Sequence, residues 1–205
     1  KDGKYIIFNT NLLNKFFQDI YIIAEVHAAE DIEVYMKPIR TSKESYTELR
    51  RYGFEGMVPE PPKFFDDVNE VIFNTSWMID KNYDSLTHII EQRKDRFPAN
   101  MREQNPYTLA RKLYDAIDYA VAIAQRNYKY IVPIYYPKFD RISFLMPIFL
   151  DGTYNTSPDF ALVLQTDAEN KIYITRTILD LETGYQDARL VAKPDESWLN
   201  PVTLK

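Results

Sequence analysis

A change from helical to β-strand patterning marks residues 126–147, which read RNYKYIVPIYYPKFDRISFLMP. Before this stretch, apolar residues recur at helical spacing over residues 106–125, which predicts a long amphipathic helix. Residues 130–136 and 141–150 are strand-like and flank a connection of hairpin length at residues 137–140. Charged and aromatic side chains are therefore concentrated where a helix gives way to a β-hairpin.

Strand and helix patterns continue along the rest of the chain. Additional strands are predicted at residues 5–8, 19–26, 32–36, 71–73, 160–165 and 171–179. Additional helices are predicted at residues 42–53, with Thr41 or Ser42 as N-cap, and at residues 82–97 and 183–191. Because the helices are segregated from a run of antiparallel strands, we predict an α+β fold with two main helices packed on an antiparallel sheet or meander.

A single domain is expected over residues 1–205, and the abrupt start at Lys1 leaves open that the chain is a fragment of a longer multidomain protein. Residues 55–67 are expected to be a connector without regular structure, because Pro59, Pro61 and Pro62 favour an extended path. We interpret it as a surface loop or lid, since the flanking segments are too small to fold alone.

Composition excludes several classes of protein. The 5 glycines form neither a G-x-G-x-x-G nor a P-loop sequence, so neither nucleotide-binding fingerprint is present. The absence of Cys excludes disulfides and thiolate zinc sites, and with His27 and His88 as the two histidines we predict no metal site of that kind and no cofactor. No signal peptide or membrane span is recognisable, so we expect a cytoplasmic protein without a membrane partner.

A local basic patch is predicted at the helix-to-strand junction. With a net charge of −5, nucleic-acid or nucleotide binding would have to come from such a patch. Arg126, Asn127 and Lys129 could hold a phosphate or carboxylate there, and the returning hairpin could bring Arg141 to the same end of the sheet. The structural alternative is that cations at a helix C-terminus complement its dipole and cap its carbonyls.

Four tyrosines accompany these cations, at positions 128, 130, 135 and 136. They could stack on bases, as aromatic residues do in single-strand binders, or they could be half-buried core residues with exposed hydroxyls. Because successive strand residues point to opposite faces, one of Tyr135 and Tyr136 at most belongs to a given surface. Tyr136 is the candidate ligand contact.

The remaining candidates are weaker. His88 and Glu91 are three residues apart on a predicted helix and could form an acid/base or ligand pair, although a histidine beside Ile89 is commonly a partly buried structural residue. Arg189 could complete a phosphate clamp or form a surface ion pair. Carboxylates available for an all-oxygen Mg²⁺ site are Asp66, Asp67, Asp159 and Asp180, for which turn capping is the alternative.

Short segments in a fixed order carry a family resemblance over nearly the whole chain. They are residues 8–12, 20–22, 65–67, 88–91, 96–98, 126–129 with Pro133 and Tyr136, 141–142 with Pro147, 159–164, 177–181, 188–190 and 194–199. In them the chain resembles a bacterial domain-of-unknown-function family, numbered 3825. The family pattern has glutamines at the positions of Ile134 and Ser143 and asparagines at those of Gln186 and Asp187, so a site built there would be altered in this chain.

The resemblance implies a fold more than an activity. Family members occur beside RNA-associated modules in longer proteins, which implies a binding or regulatory domain for RNA or a nucleotide, with other domains of the same protein as partners. In this hypothesis the arginine and lysine candidates contact phosphate, while Asn127 and one tyrosine contact the base. The alternatives are an enzyme of phosphoester or nucleotide chemistry that uses His88, Glu91 or the aspartates, and a protein-interaction scaffold built on residues 55–67 and exposed aromatics.

Overall fold

The computed structural model describes residues 5–28, 32–36, 40–41, 47, 49–54, 57, 59–152, 157–189, 191 and 199. These residues contain both helices and strands, so the predicted mixed α and β content is confirmed. The chain divides into two compact units, residues 1–63 and 64–205. Their boundary falls in the proline-containing connector, whose residues 59–65 have no regular structure, as predicted. The single-domain organisation stays a prediction.

The first unit is built on antiparallel strands. They are β1 (Tyr5–Leu13), β2 (Asp19–Ala28), β3 (Ile32–Met36) and β4 (Arg40–Thr41), in the order β1-β2-β3 with β4 also paired to β2. Tyr21 of β2 and Leu49 of a following helical segment are buried. That segment ends at Gly53, whose φ of 77° lies in the left-handed region that glycine adopts without strain. Of the two predicted N-caps, Thr41 belongs to β4 and Ser42 lies outside the described residues.

The second unit contains a five-stranded sheet and three α-helices among its described residues. The strands are β5 (Met78–Asp80), β6 (Val132–Tyr136), β7 (Arg141–Ile148), β8 (Phe160–Asp167) and β9 (Ile172–Leu179), in the order β5-β9-β8-β7-β6. The helices are α1 (Tyr83–Gln92), α2 (Pro106–Ala124) and α3 (Leu181–Ala188). Neighbouring strands are antiparallel except β5, which runs parallel to β9, so the sheet departs from the purely antiparallel arrangement that we expected.

The predicted strand at residues 71–73 is wrong. Residues Val68–Val71 form a 3-10 turn instead, because Asp67 and Glu70 make a capping box in which each carboxylate accepts a backbone N–H. The apolar run that suggested a strand has another cause. Phe73 is buried against Tyr173, with 4.5 Å between the ring centroids.

Helices cover the centre of the sheet. Gly184 of α3 packs so closely on Leu145 of β7 that a Cβ at position 184 would lie 3.3 Å from the Leu145 Cδ1. Phe97, which follows α1, makes an edge-to-face contact with Phe160 of β8 at 5.1 Å. Where β7 begins and β8 finishes, in contrast, side chains such as Arg141 are exposed, so this end of the sheet is accessible to a ligand.

Candidate functional site

An open cleft of about 850 Å³ lies in the second unit at this end of the sheet. Its volume is within the range of small-molecule binding sites. Three stretches of chain line it, drawn from residues 64–77, 139–144 and 165–174. The cleft therefore combines parts of the chain that are far apart in sequence.

Tyr173 fixes one wall of the cleft. Its ring packs against Trp77 with 5.3 Å between centroids, and its hydroxyl accepts a hydrogen bond from the backbone N–H of Asn74 at 2.8 Å. Burial raises the pKa of Tyr173, so the hydroxyl keeps its proton near neutral pH. The loop that carries Asn74 and Trp77 is thereby attached to strand β9.

Tyr135 connects a second wall to the β6–β7 turn. Its ring contacts Phe64 at 4.9 Å, and its hydroxyl donates to the Asp140 carboxylate at 2.7 Å, which raises the pKa of Tyr135. Asp140 has a φ of 48°, a left-handed conformation that aspartate tolerates better than most residues. The turn is therefore held in a defined shape beside the cleft.

Arg141 brings a positive charge to the cleft. Its guanidinium carbon lies 5.7 Å from the centroid of the exposed Phe139 ring, and its Nε donates to the Phe139 carbonyl at 3.4 Å. The side chain and backbone of Asn170 lower the pKa of Asp167 by hydrogen bonding, and the charge of Arg141 lowers it further. The guanidinium is thus positioned between an aromatic ring and a carboxylate, where it could receive a phosphate or carboxylate of a ligand.

Carboxylates outnumber cations around the cleft. Glu70, Asp140, Asp167 and Glu169 line it, whereas Arg141 is the sole cation among the described residues that do so. Polar uncharged groups complete the lining. The Gln165 Oε1 accepts from Arg176 at 2.6 Å, and the Thr166 Oγ1 is buried with no hydrogen-bond partner among the described residues. The cleft therefore combines aromatic side chains with an excess of negative charge, and it is not the basic patch that we predicted at the helix-to-strand junction.

The helix-to-strand junction lies elsewhere. In the β6–β7 hairpin, Tyr136 pairs with Arg141 and Val132 pairs with Leu145. Four residues of extended strand, about 13 Å, therefore separate Arg141 from the end of β6 that follows the junction. The expectation that the hairpin returns Arg141 to the junction is wrong, because a tight antiparallel turn places it beside the last residue of β6.

Arg126, Asn127 and Lys129 are exposed and make local contacts at the end of α2. Arg126 donates from Nη1 to the carbonyl of Ala122, and the Asn127 Oδ1 accepts from the backbone N–H of Lys129 at 3.1 Å. The Arg126 contact is that of the structural alternative, in which a cation caps a free carbonyl at a helix terminus, whereas the Asn127 contact closes the turn that follows the helix. None of the three lines the cleft.

The other predicted site residues occupy separate places. Tyr136 is 40% exposed, and its ring lies 5.3 Å from that of Phe139, at the edge of the cleft. Arg189 lies over the ring of Tyr185 at 5.8 Å, at the end of α3. His88 and Glu91 are both exposed on α1, and neither lines the cleft.

The described residues contain neither a metal-binding group of side chains nor a membrane-spanning helix. Within them, no group of three or more His, Asp and Glu side chains is arranged to hold a metal ion. Asp67 caps the 3-10 turn at Val68–Val71, as its structural alternative predicted, and Asp180 caps the N-terminus of helix α3. In the same part of the chain, no helix is both long and apolar enough to cross a membrane.

The departures from the family pattern lie on and beneath α3. Ile134 and Ser143 are cross-strand partners on one face of the sheet, and both are buried. Asp187 belongs to α3, which packs on β6, and burial raises the pKa of its carboxyl. Ile134, Ser143 and Asp187 therefore lie where α3 packs on the sheet.

The family relationship is established by comparison with family models. The model described as "Domain of unknown function (DUF3825)" matches residues 1–198 of the 205-residue chain, and the chain belongs to this family. The resemblance found in its ordered segments is thereby confirmed. No curated protein and no solved structure matches the chain.

Proposed function

We propose that the chain is a binding or regulatory domain that recognises a nucleotide or a segment of RNA in the cleft around Arg141. The observation that carries this proposal is the combination of exposed aromatic surface and a positioned guanidinium in a cleft of about 850 Å³. A base stacks on aromatic faces such as those of Phe139 and Trp77, while Arg141 binds a phosphate oxygen. The side chains of Asn69 and Gln165 supply hydrogen-bonding groups for the base edge.

This proposal moves the phosphate contact away from the helix-to-strand junction. Arg126 already donates to the end of α2, whereas Arg141 lines the cleft. Tyr136 keeps its proposed place near the ligand through its contact with Phe139. The proposed setting is the cytoplasm of a bacterial cell, where a Cys-free domain needs no disulfide for its stability. We also propose that the chain is a single α+β domain and that other domains of the same protein are its partners.

The experiment is a thermal-shift and calorimetric series on the purified domain with ribonucleoside monophosphates and a short single-stranded RNA. It compares the wild type with Arg141→Gln and with Arg126→Gln, an arginine of the same charge that does not line the cleft. We expect stabilisation of the wild type and of Arg126→Gln, and a loss of affinity of about 10-fold or more in Arg141→Gln, as for other charge-assisted hydrogen bonds. Equal binding by both variants, or no binding by any protein, would contradict the proposal.

A protein-interaction function is a second candidate, favoured by the turn between β1 and β2. Leu12, Leu13, Phe16 and Phe17 are exposed there, Phe17 by 85% and with a φ of 60°. Asn14 holds the turn, because its Oδ1 accepts from the backbone N–H groups of Phe16 and Gln18. A fixed turn that presents apolar side chains is typical of a contact surface.

Self-association is the simplest form of that function and can be measured by light scattering over a range of protein concentrations. The variant Phe16→Ser/Phe17→Ser should abolish any association that the wild type shows, and Met57→Ser, an exposed residue of the same unit, serves as control. A wild type that is monomeric at every concentration, with or without other domains of its protein, would contradict this candidate.

A further inference from the structure

The charges of the residues that line the cleft restrict the class of ligand more narrowly than the volume of the cleft does. We infer that the cleft selects planar ligands of low negative charge, a nucleoside or the singly charged phosphodiester of RNA, over nucleoside triphosphates. This inference rests on the proposed function and specifies the ligand class of the same site. It follows from the four carboxylates and one guanidinium among the lining residues.

The carboxylates of the lining differ in their surroundings. Glu70, Asp140 and Glu169 are exposed to solvent, and hydrogen bonds from Asn170 together with the charge of Arg141 favour the ionised form of Asp167. The Asp140 carboxylate accepts the Tyr135 hydroxyl, a contact that is retained when it is ionised. With each Asp and Glu counted as one formal negative charge, the described lining carries four negative charges and one positive charge.

Arg141 can compensate the charge of one phosphate group of a nucleoside triphosphate. Among the described lining residues, no cation remains for the second and third phosphate groups. The guanidinium is fixed near Phe139, and no other lysine or arginine is among the described residues that line the cleft. Two more cations are close by without being part of the lining: Lys138 lies 5.5 Å from the centroid of the same Phe139 ring, and the Arg176 Nε is engaged by the Gln165 Oε1 at 2.6 Å. Additional phosphates would therefore lie close to carboxylates without a compensating cation, and each repulsion weakens binding.

The same carboxylates suit a neutral, donor-rich ligand. Ribose hydroxyls and the exocyclic amino groups of bases are donors, and carboxylate oxygens are acceptors that can receive two or more hydrogen bonds. A nucleoside satisfies these groups without adding negative charge.

The test is calorimetric titration with the four ribonucleosides, their 5′-monophosphates and their 5′-triphosphates, at low and at high salt. For the base that binds best, we expect the triphosphate to bind about 10-fold more weakly than the monophosphate at low salt, with a smaller difference at high salt. The variant Glu70→Gln/Glu169→Gln should narrow this difference several-fold. Glutamine at position 70 can still accept the Asp67 N–H of the capping box, so the turn is kept.

The matched control is Glu103→Gln/Glu182→Gln, which removes the same charge from two exposed residues outside the lining and should leave the difference unchanged. If nucleotides bind but the triphosphate binds as tightly as the monophosphate, the charge inference is overturned and the proposed function stands. If no nucleoside, nucleotide or RNA binds, the proposed function and this inference both fail.

Discussion

Arg141 and Tyr136 are direct cross-strand partners at the turn end of the β6–β7 hairpin. This pairing determines how far Arg141 lies from Arg126 and Lys129, the cations of the helix-to-strand junction. Arg141 belongs to the cleft, while Arg126 belongs to the other end of β6, where it donates to a helix carbonyl. Cations that the sequence separates by a short hairpin therefore have different environments, and their substitution should have different effects.

Substitution of Phe139 should weaken ligand binding more than it weakens the fold. Phe139 is exposed at the cleft and contacts Arg141 and Tyr136. If a base stacks on this ring, Phe139→Ala should reduce affinity by about 1–3 kcal/mol. Titration of the variant with the best-binding ligand provides the measurement. Tyr128→Ala, at a tyrosine that is 61% exposed and outside the lining, should bind normally; an equal loss in both variants would argue against stacking at Phe139.

Much of the secondary structure could be predicted because it depends on local patterns. The helix predicted over residues 106–125 is observed at Pro106–Ala124, and the strand at Ile32–Met36 has the predicted bounds. Both predictions rest on the periodicity of apolar residues and on prolines near the ends of the elements. The strand predicted at residues 71–73 failed because burial of Phe73 comes from stacking on Tyr173, a contact across about 100 positions that no local pattern encodes.

The cleft could not be predicted from the sequence for a related reason. Its lining includes Trp77, Phe139 and Gln165, which belong to three separate segments and form no motif. Arg141 and Tyr136 were candidates from the sequence because charged and aromatic residues at a turn are a local signal; Arg141 lines the cleft, and Tyr136 contacts the lining residue Phe139. It could not specify which end of the sheet they occupy, since that depends on the hairpin register.

Removal of the Tyr173 hydroxyl should loosen the wall that carries Trp77. The hydroxyl accepts from the Asn74 backbone at 2.8 Å, so Tyr173→Phe should lower the free energy of unfolding by about 1 kcal/mol and also reduce ligand affinity. Urea unfolding measures the first effect and titration the second. Tyr107→Phe, at a tyrosine that is 71% exposed, should change neither. A variant that matches the wild type in both measurements would show that this hydrogen bond does not position the wall.

The close approach of α3 to the sheet should limit the size of residue 184. Alanine would gain about 1 kcal/mol of helix propensity over Gly184, but its Cβ would lie 3.3 Å from Leu145, so we expect Gly184→Ala to change stability by less than about 1 kcal/mol. Gly184→Val should be destabilising by about 1–3 kcal/mol, because the added methyl groups overpack a buried contact. Urea unfolding of both variants measures the difference. Equal stabilities would indicate that α3 moves away from β7 at little cost.

The carboxyls of Asp180 and Asp187, on the same short helix, should respond to pH in opposite ways. Asp180 is the N-cap of α3, and its hydrogen bond from the Thr183 backbone N–H is the main reason that its pKa is lowered from 3.8. Its ionised form therefore stabilises the fold above pH 3.8, and this contribution is lost as the pH falls through the lowered folded-state pKa. Burial raises the pKa of Asp187 from 3.8, so its ionisation destabilises the fold increasingly as the pH rises above that value.

Asparagine substitutions separate these two effects, because asparagine is a good N-cap and carries no charge. Near neutral pH, Asp180→Asn should be less stable than the wild type and Asp187→Asn more stable. The Asp187→Asn difference should shrink as the pH falls toward 3.8, whereas the Asp180→Asn difference should shrink only as the pH falls below 3.8. Urea unfolding at a series of pH values, with the exposed Asp84→Asn of α1 measured in parallel, gives the comparison. If Asp187→Asn instead loses stability at neutral pH, the Asp187 carboxylate makes a favourable contact when α3 packs on the sheet, and burial is not the main influence on its ionisation.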